Sequence, residues 1–469
     1  MPNVKTIRYC LACLLLGGVL LGCELVSTAA TKPAVVSGYV EEIVSPSGFV
    51  VSGARVLCGE DTRLATLQGD ETLLKPFKLE MVRVGMHVEV TGQWDGKANE
   101  MQAARIVLTE SKTNGKTVGS AVIERTPILK ETADGWTGII RADGRNLRIV
   151  SASKVEFPAP GKHKQAAPAG AAQPLSSLDQ IGPNVLVSYR GREMADGSVK
   201  VEWAAFKRNE VSQAEQDMRE ADKPKIVAPN YAMHKAGVLK MEDPDRVFHI
   251  VPDEYLQRRA TEIGMALVPA FQKALPDSDP TKIQFRFYVV EEGKKTGLRT
   301  SPDGLVLVPA KLVGALENEA QLAAVISIAV AGIEQKAAYR LGARFDLLNG
   351  AEAAAAATGA VVPGIDMVVG IFAYRNAKQY LRTLTEQLGR LELEYLLQAG
   401  WDMRQAPRAM KLAYGKRRTE APNDKDEPLL SGYLTGEITN HYTDVDYSKL
   451  RVNENDYQKL LAAVGGSRR

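Results

Sequence analysis

Apolar and polar positions alternate with a period of two in several runs within residues 36–212. One such run, SGYVEEIVSPSGFVVSGARVL, begins at Ser37 and contains the turn signal Pro46-Ser47-Gly48. Another, VRVGMHVEVTGQWDGKANEMQAARIVL, begins at Val82 and turns at Asp95-Gly96. Alternation places the apolar side chains of a strand on one face, and the interrupting residues favour tight turns. The pattern therefore predicts hairpins of half-buried strands.

The same signals occur twice in the same order. Ser37-Gly38-Tyr39-Val40 is matched by Thr137-Gly138-Ile139-Ile140, and VGMHVEVTG from Val84 is matched by IGPNVLVSY from Ile181. An Asp-Gly pair and an Ala-Ala pair then follow in both series. These matches predict two copies of one small β-barrel module, at 36–110 and 135–212, joined by a linker at 111–134. The VGMHVEVTG stretch resembles small OB-like domains of exported bacterial proteins.

The period changes to that of helices in the C-terminal half. PDEYLQRRATEIGMALVPAFQKAL, LAAVISIAVAGIEQKAAYRL and KQYLRTLTEQLGRLELEYLLQAG have apolar residues at helical spacing, and KIQFRFYVVEE and SPDGLVLVPAK read as strands. The apolar stretch Ala351–Tyr374 contains Pro363 and Asp366, which favours a buried helical hairpin. The pattern predicts an α+β, mainly helical domain at 251–415, a preceding linker at 213–250 and a tail at 416–469.

Together these segments predict a multidomain protein with two small β-barrel (OB-like) modules followed by an α+β, mainly helical domain. A length of 469 residues is consistent with two to four domains as a prior. The composition is that of a globular protein, with 45% hydrophobic and 25% charged residues. A net charge of +3 and scattered tryptophans give no basic, aromatic groove, so no nucleic-acid partner is expected.

The N-terminus has the features of an export signal. Lys5 and Arg8 precede the apolar run CLACLLLGGVLLG, which ends at Gly22-Cys23. This ending resembles the bacterial lipoprotein box, which implies cleavage after residue 22 and lipidation of Cys23. Residues 1–22 are then a signal peptide and 23–35 a tether, and Glu24 favours the outer membrane, facing the periplasm. Cys58 would remain as a single thiol without a disulfide partner, and we expect it to pack as a small apolar residue.

Two segments of the helical half resemble the HtpX/BepA-like zinc metallopeptidase family, metallopeptidase family 48. Asn318-Glu319-Ala320-Gln321-Leu322-Ala323-Ala324-Val325 is similar to the residues that precede the family's zinc-binding HExxH motif. Glu394-Tyr395-Leu396, Ala399-Gly400-Trp401-Asp402 and Ala406-Pro407 are similar to the end of the family's second conserved helix. The resemblance covers about Val251 to Tyr414 and implies a peptidase-like fold with zinc as its cofactor.

The positions that should carry the chemistry have been replaced. The resemblance assigns the two zinc-binding histidines to Ile328 and Gly332, the general base to Ala329 and the third ligand to Gln387. Ile, Ala and Gly supply no donor atoms, and the histidine pair needs both imidazoles on one helix face. The chain has five histidines, and none of them provides an HExxH motif. We therefore expect no catalytic residues, no metal ligands and no cofactor.

These observations favour a non-catalytic, membrane-anchored envelope protein, a pseudopeptidase that binds proteins as a scaffold, adaptor or chaperone-like component. Its expected partners are envelope proteins or peptides, and the membrane through Cys23. We also expect that a hydrophobic residue or peptide could occupy the former cleft around Ile328, Gly332 and Gln387. Two alternatives stay open. The chain could be a metallopeptidase with an atypical site at Glu334, Glu386 and His441, or a binding module that acts through its β-barrel pair.

Overall fold

The structure is a computed structural model of the chain. It describes residues 32–44, 48–68, 71–108, 116–158, 174–194, 196–221, 223–241, 247–291, 298–340, 360–361, 368–369, 375–414 and 430–466. The predicted signal peptide, Cys23 and most of the predicted tether lie outside the described residues.

Residues 32–108 form the first barrel. Its strands are β1 (Lys32–Val44), β2 (Gly48–Val51), β3 (Ala54–Gln68), β4 (Glu71–Pro76), β5 (His87–Asp95) and β6 (Glu100–Leu108). Five of them form the closed ring β1-β5-β6-β3-β2, and β4 pairs with the last part of β3. The long β1 closes the ring because its first part pairs with β5 and its end pairs with β2. Val36, Val88 and Ile106 fill the interior, each 1% exposed or less.

Residues 116–208 form the second barrel. Its strands are β7 (Lys116–Val122), β8 (Ile128–Thr132), β9 (Gly135–Ala142), β10 (Arg145–Ile149), β11 (Lys154–Glu156), β12 (Val185–Glu193) and β13 (Val199–Arg208). They lie in the order β7-β12-β13-β10-β9-β8, with β11 also paired to β13. A bridge between Ile123 and Ala142 brings the end of β7 to β9, so these strands surround a core of their own.

Strand pairing reveals how the two barrels correspond. In the first barrel, Val40 at the bend of β1 pairs with Val51 of β2. In the second, Ile123 after β7 pairs with Ala142 of β9. The counterpart of the first part of β1 is therefore β7, and the counterpart of β2 is β9. The predicted match of Thr137-Gly138-Ile139-Ile140 with Ser37-Gly38-Tyr39-Val40 is wrong, because the former lie in β9.

The tight turn after each paired position is the same in both barrels. Ser52-Gly53 follows β2 with φ of 48° and 71°, and Asp143-Gly144 follows β9 with φ of 60° and 62°. Two successive left-handed residues match the twist of the strands they connect. In the second barrel this turn supplies Asp143, which contacts the helical domain.

The remaining described residues form the helical domain, 213–466. Its helices are α1 (Gln213–Ala221), α2 (Glu254–Leu267), α3 (Ala270–Ala274), α4 (Ala310–Ala315), α5 (Glu319–Glu334), α6 (Arg375–Gln398), α7 (Ala406–Tyr414), α8 (Leu430–His441) and α9 (Glu454–Gly466). Its sheet has the order β14-β15-β16-β17-β19-β18. The bounds are β14 (Lys225–Val227), β15 (Gly237–Lys240), β16 (Val247–Ile250), β17 (Arg286–Val290), β18 (Arg299–Thr300) and β19 (Leu305–Pro309). The helix α5 lies at the centre, with all 16 residues buried.

Three predicted boundaries need correction. The expected linker 111–134 contains β7 and β8, which hydrogen-bond into the second barrel. The expected linker 213–250 contains α1 and three strands of the helical domain's sheet. The expected tail 416–469 contains α8 and α9, and Tyr457 of α9 is fully buried in the helical core. Short edge strands carry too few residues to show a period, and a helix near the C-terminus shows its packing only in three dimensions.

The helix α8 lies between the two barrels. Gly436 faces the first barrel so closely that a Cβ atom there would lie 2.5 Å from Cδ1 of Tyr39. His441 at the end of α8 lies against Gly197 in the β12–β13 turn of the second barrel. One helix of the helical domain therefore contacts both barrels.

The apolar stretch Ala351–Tyr374 is described only at four residues. They form two short antiparallel strands, β20 (Ala360–Val361) and β21 (Val368–Val369), where a helical hairpin was expected. Among the described residues, no helix is long and apolar enough to cross a membrane.

Candidate functional site

The four positions that the family resemblance assigns to zinc chemistry lie on two packed helices. Ile328 and Ala329 of α5 are 0% exposed, and Gly332 is buried one turn further on. Gln387 of α6 is 3% exposed. The helix α5 packs along α6, so these residues belong to the central core of the helical domain.

The helix α5 is held by capping and by contact with α6. The Asn318 side chain accepts a hydrogen bond from the Gln321 amide at 2.9 Å, which satisfies a free N–H of the first turn. Ser327 is the one polar side chain between Leu322 and Ile333, and its hydroxyl donates to the Glu392 carbonyl of α6 at 3.0 Å. This hydrogen bond ties α5 to α6.

The end of α5 and the middle of α6 bind the backbone of β7. The Val122 amide donates to Oε1 of Gln335 at 2.9 Å, and Nε2 of Gln387 donates to the Ser120 carbonyl at 3.0 Å. Since β12 pairs with the other edge of β7, these two amide side chains satisfy backbone groups on the edge that faces the helical domain. The expectation that an external peptide occupies the surface around Gln387 needs correction, because the second barrel occupies it.

These residues do not fit a zinc ion. Zinc in proteins takes nitrogen, sulfur or carboxylate oxygen ligands. Ile328, Ala329 and Gly332 supply none of these. The Gln387 amide is hydrogen-bonded at both ends, since its Oε1 accepts from Arg340 at 3.1 Å. No hydrolytic step through zinc can therefore be derived at these positions.

The residues of the atypical metal site have separate surroundings. Glu334 lies at the end of α5, beside Gln335. Glu386 pairs with Arg382 on α6 at 2.8 Å. The imidazole of His441 lies against the β12–β13 turn. Within the described ranges, no group of three or more His, Cys, Asp or Glu side chains is placed to hold a metal ion.

Two glutamates meet where the second barrel contacts α5 and α6, and we call Glu124 and Glu334 the acid pair. Glu334 is 1% exposed, whereas Glu124 keeps part of its surface in solvent. The Tyr395 hydroxyl donates to Glu124 and lies 3.4 Å from Oε2 of Glu334. Nε2 of Gln335 donates to Glu334 and lies 3.3 Å from Oε1 of Glu124. Burial raises the pKa of both carboxyls, that of Glu334 to about 8.

A second carboxylate of the same interface is fully paired. Glu394 of α6 is 4% exposed and accepts from Nε of Arg141 at 3.1 Å. It also accepts from Arg125 at 2.9 Å. Both cations come from the second barrel, so this contact is an ion-paired link between the barrel and α6.

Arg390 forms the most buried ion pair between the second barrel and the helical domain. Its guanidinium contacts Oδ1 of Asp143 at 2.8 Å and the Asp143 carbonyl at 2.9 Å, and it donates to the Tyr433 hydroxyl at 2.7 Å. Asp143 also accepts from the Tyr189 hydroxyl. Arg390 and Asp143 are 4% and 3% exposed. Burial opposes the charged guanidinium, but Asp143 outweighs it, and the pKa of Arg390 lies well above its ordinary value.

The first barrel contacts α8 mainly through aromatic packing. The ring centroids of Tyr39 and Tyr433 lie 5.8 Å apart in an edge-to-face arrangement. Glu41, which follows the bend of β1 as Glu124 follows β7, accepts from the Gly53 amide at 3.0 Å. Its nearest cation is Lys411, at 3.9 Å. The corresponding positions of the two barrels thus both carry a glutamate at the helical domain.

The cysteines fall in two classes. Cys23, the predicted lipidation site, lies outside the described residues. Cys58 lies in β3 and packs against the core of the first barrel. Burial raises the pKa of its thiol to about 12, so it stays protonated near neutral pH.

The residues that join the domains could not be predicted from the sequence. Arg390 and Asp143 are 247 positions apart, and no local pattern marks them as partners. The one usable signal was a run of charged residues, Arg390, Glu392 and Glu394, interleaved with leucines on a predicted helix. Compared with known proteins, the chain matches no protein-family model and no curated protein sequence.

Proposed function

We propose that this chain is a non-catalytic scaffold or adaptor of the bacterial cell envelope, with a metallopeptidase-like domain that lacks a zinc site. The observation that carries the proposal is the use of Gln335 and Gln387 to hold the backbone of β7. A peptidase needs this face open to substrate, whereas here it holds a second domain. We call this role a scaffold, because the helical domain fixes the position of another domain of the chain.

The outer faces of the barrels, which we propose to be OB-like, are the surfaces for partners. Ile128 and Ile139 pair across the β8–β9 hairpin and are 77% and 39% exposed. Neighbouring exposed apolar residues on a β surface favour protein or peptide contacts. This observation also supports the hypothesis that binding occurs through the β-barrel pair, with the helical domain as the part that positions them.

The proposed lipid anchor would keep the first barrel close to a membrane. Cys23 precedes the start of β1 at Lys32 by nine residues. A fully extended segment of that length spans at most about 30 Å. Partners of the barrels would therefore be envelope proteins within reach of the membrane, which we propose to be the outer membrane on its periplasmic side.

A photo-crosslinking residue at Ile128 tests the partner surface. The matched control is the same residue at Val227, which is 66% exposed but lies on β14 of the helical domain. We expect discrete protein adducts in intact cells from position 128 and none of the same size from position 227. Equal adducts from both positions would argue against a specific surface on the second barrel.

Elemental mass spectrometry tests whether the chain lacks a zinc site. The full chain is purified in detergent without a histidine tag and supplied with zinc. We expect no stoichiometric metal. One tightly held zinc per chain would overturn the proposal and return the atypical peptidase to first place.

A further inference from the structure

The acid pair stands out among the charged groups that join the second barrel to the helical domain. Its two carboxyl groups share two donors, because the Tyr395 hydroxyl and Nε2 of Gln335 each lie within 3.4 Å of both. Two ionised carboxylates can only accept hydrogen bonds, so a bond between them requires a proton on one of them. Oε1 of Glu334 is buried and finds no partner among the described residues. The geometry therefore contains a place for a proton.

The cations near the acid pair are directed elsewhere. From the second barrel, Arg125 and Arg141 both bind Glu394. At the end of α5, Lys336 binds Glu215 at 2.8 Å. The other described titratable groups at this contact are Tyr395 of α6, a donor to the pair, and Tyr442, which directly follows α8 and lies beside Arg141. Among the described residues, each of these three cations is bonded to another anion, so none of them is a dedicated counter-ion of the acid pair.

Two like charges in a poorly hydrated contact without counter-ions repel strongly, and one proton removes that repulsion. We propose that Glu124 and Glu334 share one proton, that this proton holds the second barrel on the helical domain, and that its loss loosens the contact. The device is a proton-dependent latch between two domains. It does not depend on the scaffold function proposed above.

The direction of the pH effect follows from linkage. A free glutamate titrates near pH 4.3. Because burial raises the pKa of Glu334 to about 8, the docked state keeps a proton that the separated state loses between these values. Docking is therefore strongest at mildly acidic pH and weakens as the pH rises toward 8. One proton changes the docking equilibrium by at most about tenfold per pH unit.

Amide hydrogen exchange of the full chain in detergent measures this latch. Protection factors, corrected for the intrinsic pH dependence of exchange, are compared between pH 6 and pH 9. We expect the Val122 amide of β7, which donates to Gln335, to lose protection as the pH rises. The Val40 amide, bonded to Met86 in the first barrel, should keep its protection. A flat profile at Val122, or an equal loss at both amides, would overturn the proposal.

Conservative variants isolate the pair. Glu334→Gln places a neutral amide in the contact at every pH, so the profile at Val122 should become flat. Glu41→Gln is the matched control, because it changes the corresponding glutamate of the first barrel, which has no second carboxyl bonded to it. This variant should keep the wild-type profile at Val122. Retention of the wild-type slope in Glu334→Gln would contradict the latch.

Infrared difference spectroscopy supplies a readout that does not depend on docking. The wild-type spectrum at pH 6, minus that of Glu334→Gln, should contain the C=O band of one protonated carboxylic acid. The same difference at pH 9 should lose that band. Absence of the band at pH 6 would mean that the pair holds no proton, and the proposal would fail.

Discussion

The two barrels contact the helical domain through different strands and with different chemistry. In the first barrel, Tyr39 of β1 packs on Tyr433 and over Gly436 of α8. In the second, Asp143 and Arg141 form ion pairs with Arg390 and Glu394 of α6. The two barrels have therefore joined the same domain in different ways, one by aromatic packing and one by buried charge.

This difference predicts how the stability of each contact should respond to substitution. The stability of an aromatic contact depends on the surface area that it buries, so the loss of stability grows gradually as the fit worsens. A buried ion pair depends on both members, because removal of one leaves an uncompensated charge in a poorly hydrated place. The second barrel should therefore be more sensitive to single substitutions, and its contact more selective for one geometry.

Arg390→Met should give the largest loss. It leaves Asp143 buried and unpaired by charge, so we expect a decrease of about 3–5 kcal/mol in the free energy of unfolding, measured by urea denaturation. Arg408→Met is the control, because its pair with Glu317 is about half exposed and should contribute no more than about 1 kcal/mol. Similar losses of stability in both variants would show that the buried ion pair contributes no more than the exposed one.

Gly436→Ala tests the first barrel's contact. Its methyl group would lie 2.5 Å from the Tyr39 ring, so β1 must move and stability should fall by about 1–3 kcal/mol. Gly432→Ala, one turn earlier, meets Glu41 only at 3.4 Å and should gain up to about 1 kcal/mol from helix propensity. If both alanines stabilise the chain, the close fit of α8 on the first barrel does not limit docking.

Glu392→Met compares an unpaired buried acid with the paired Glu394. In the part of the chain that the structure describes, both carboxyl oxygens of Glu392 are buried without a hydrogen-bond partner, and burial raises its pKa well above the ordinary value. We expect a gain of about 1–3 kcal/mol at pH 7. The raised pKa of the folded state means that the wild type loses stability as the pH rises above about 4.3, so the gain should shrink toward pH 4. Glu394→Met should instead destabilise the chain at pH 7.

Tyr395→Phe should have the smallest effect. It removes the hydroxyl that donates to Glu124, with an expected loss of about 0.5–1.5 kcal/mol. Amide exchange should increase in β7 and not in β1. The control is Tyr457→Phe, which removes a hydroxyl bonded to Val313 within the helical domain and should leave exchange in β7 unchanged.

The sequence predicts the elements that have long, regular patterns. The expected central helix is confirmed as α5, with Asn318 as its cap, although it ends at Glu334 and not at Leu341. The strands around the Asp95-Gly96 turn are confirmed as β5 and β6. These elements could be predicted because their own residues determine the period and the ends.

The remaining features depend on partners far away in the chain. The strand β7 reads as a linker because it follows the polar run TESKTNG and ends beside charged residues, and only its pairing with β12 identifies it. The repeat was misaligned for a related reason. The residue with left-handed backbone conformation before β5 is Gly85, and its counterpart before β12 is Asn184. Matching glycine to glycine therefore selects the nearby Gly182 instead of Asn184. Physical equivalence lies in backbone conformation, which two different residues can provide.

The position of α8 between the barrels has a consequence for the order of folding. Asn440 of this helix donates to the Gly85 carbonyl, which lies 355 sequence positions away. Contacts that span so much of the chain form late, since a very long loop must close first. During synthesis both barrels emerge before the residues that join them exist. The nascent protein therefore passes through a stage of two separate barrels with uncovered docking edges, and in that interval it depends most on chaperones.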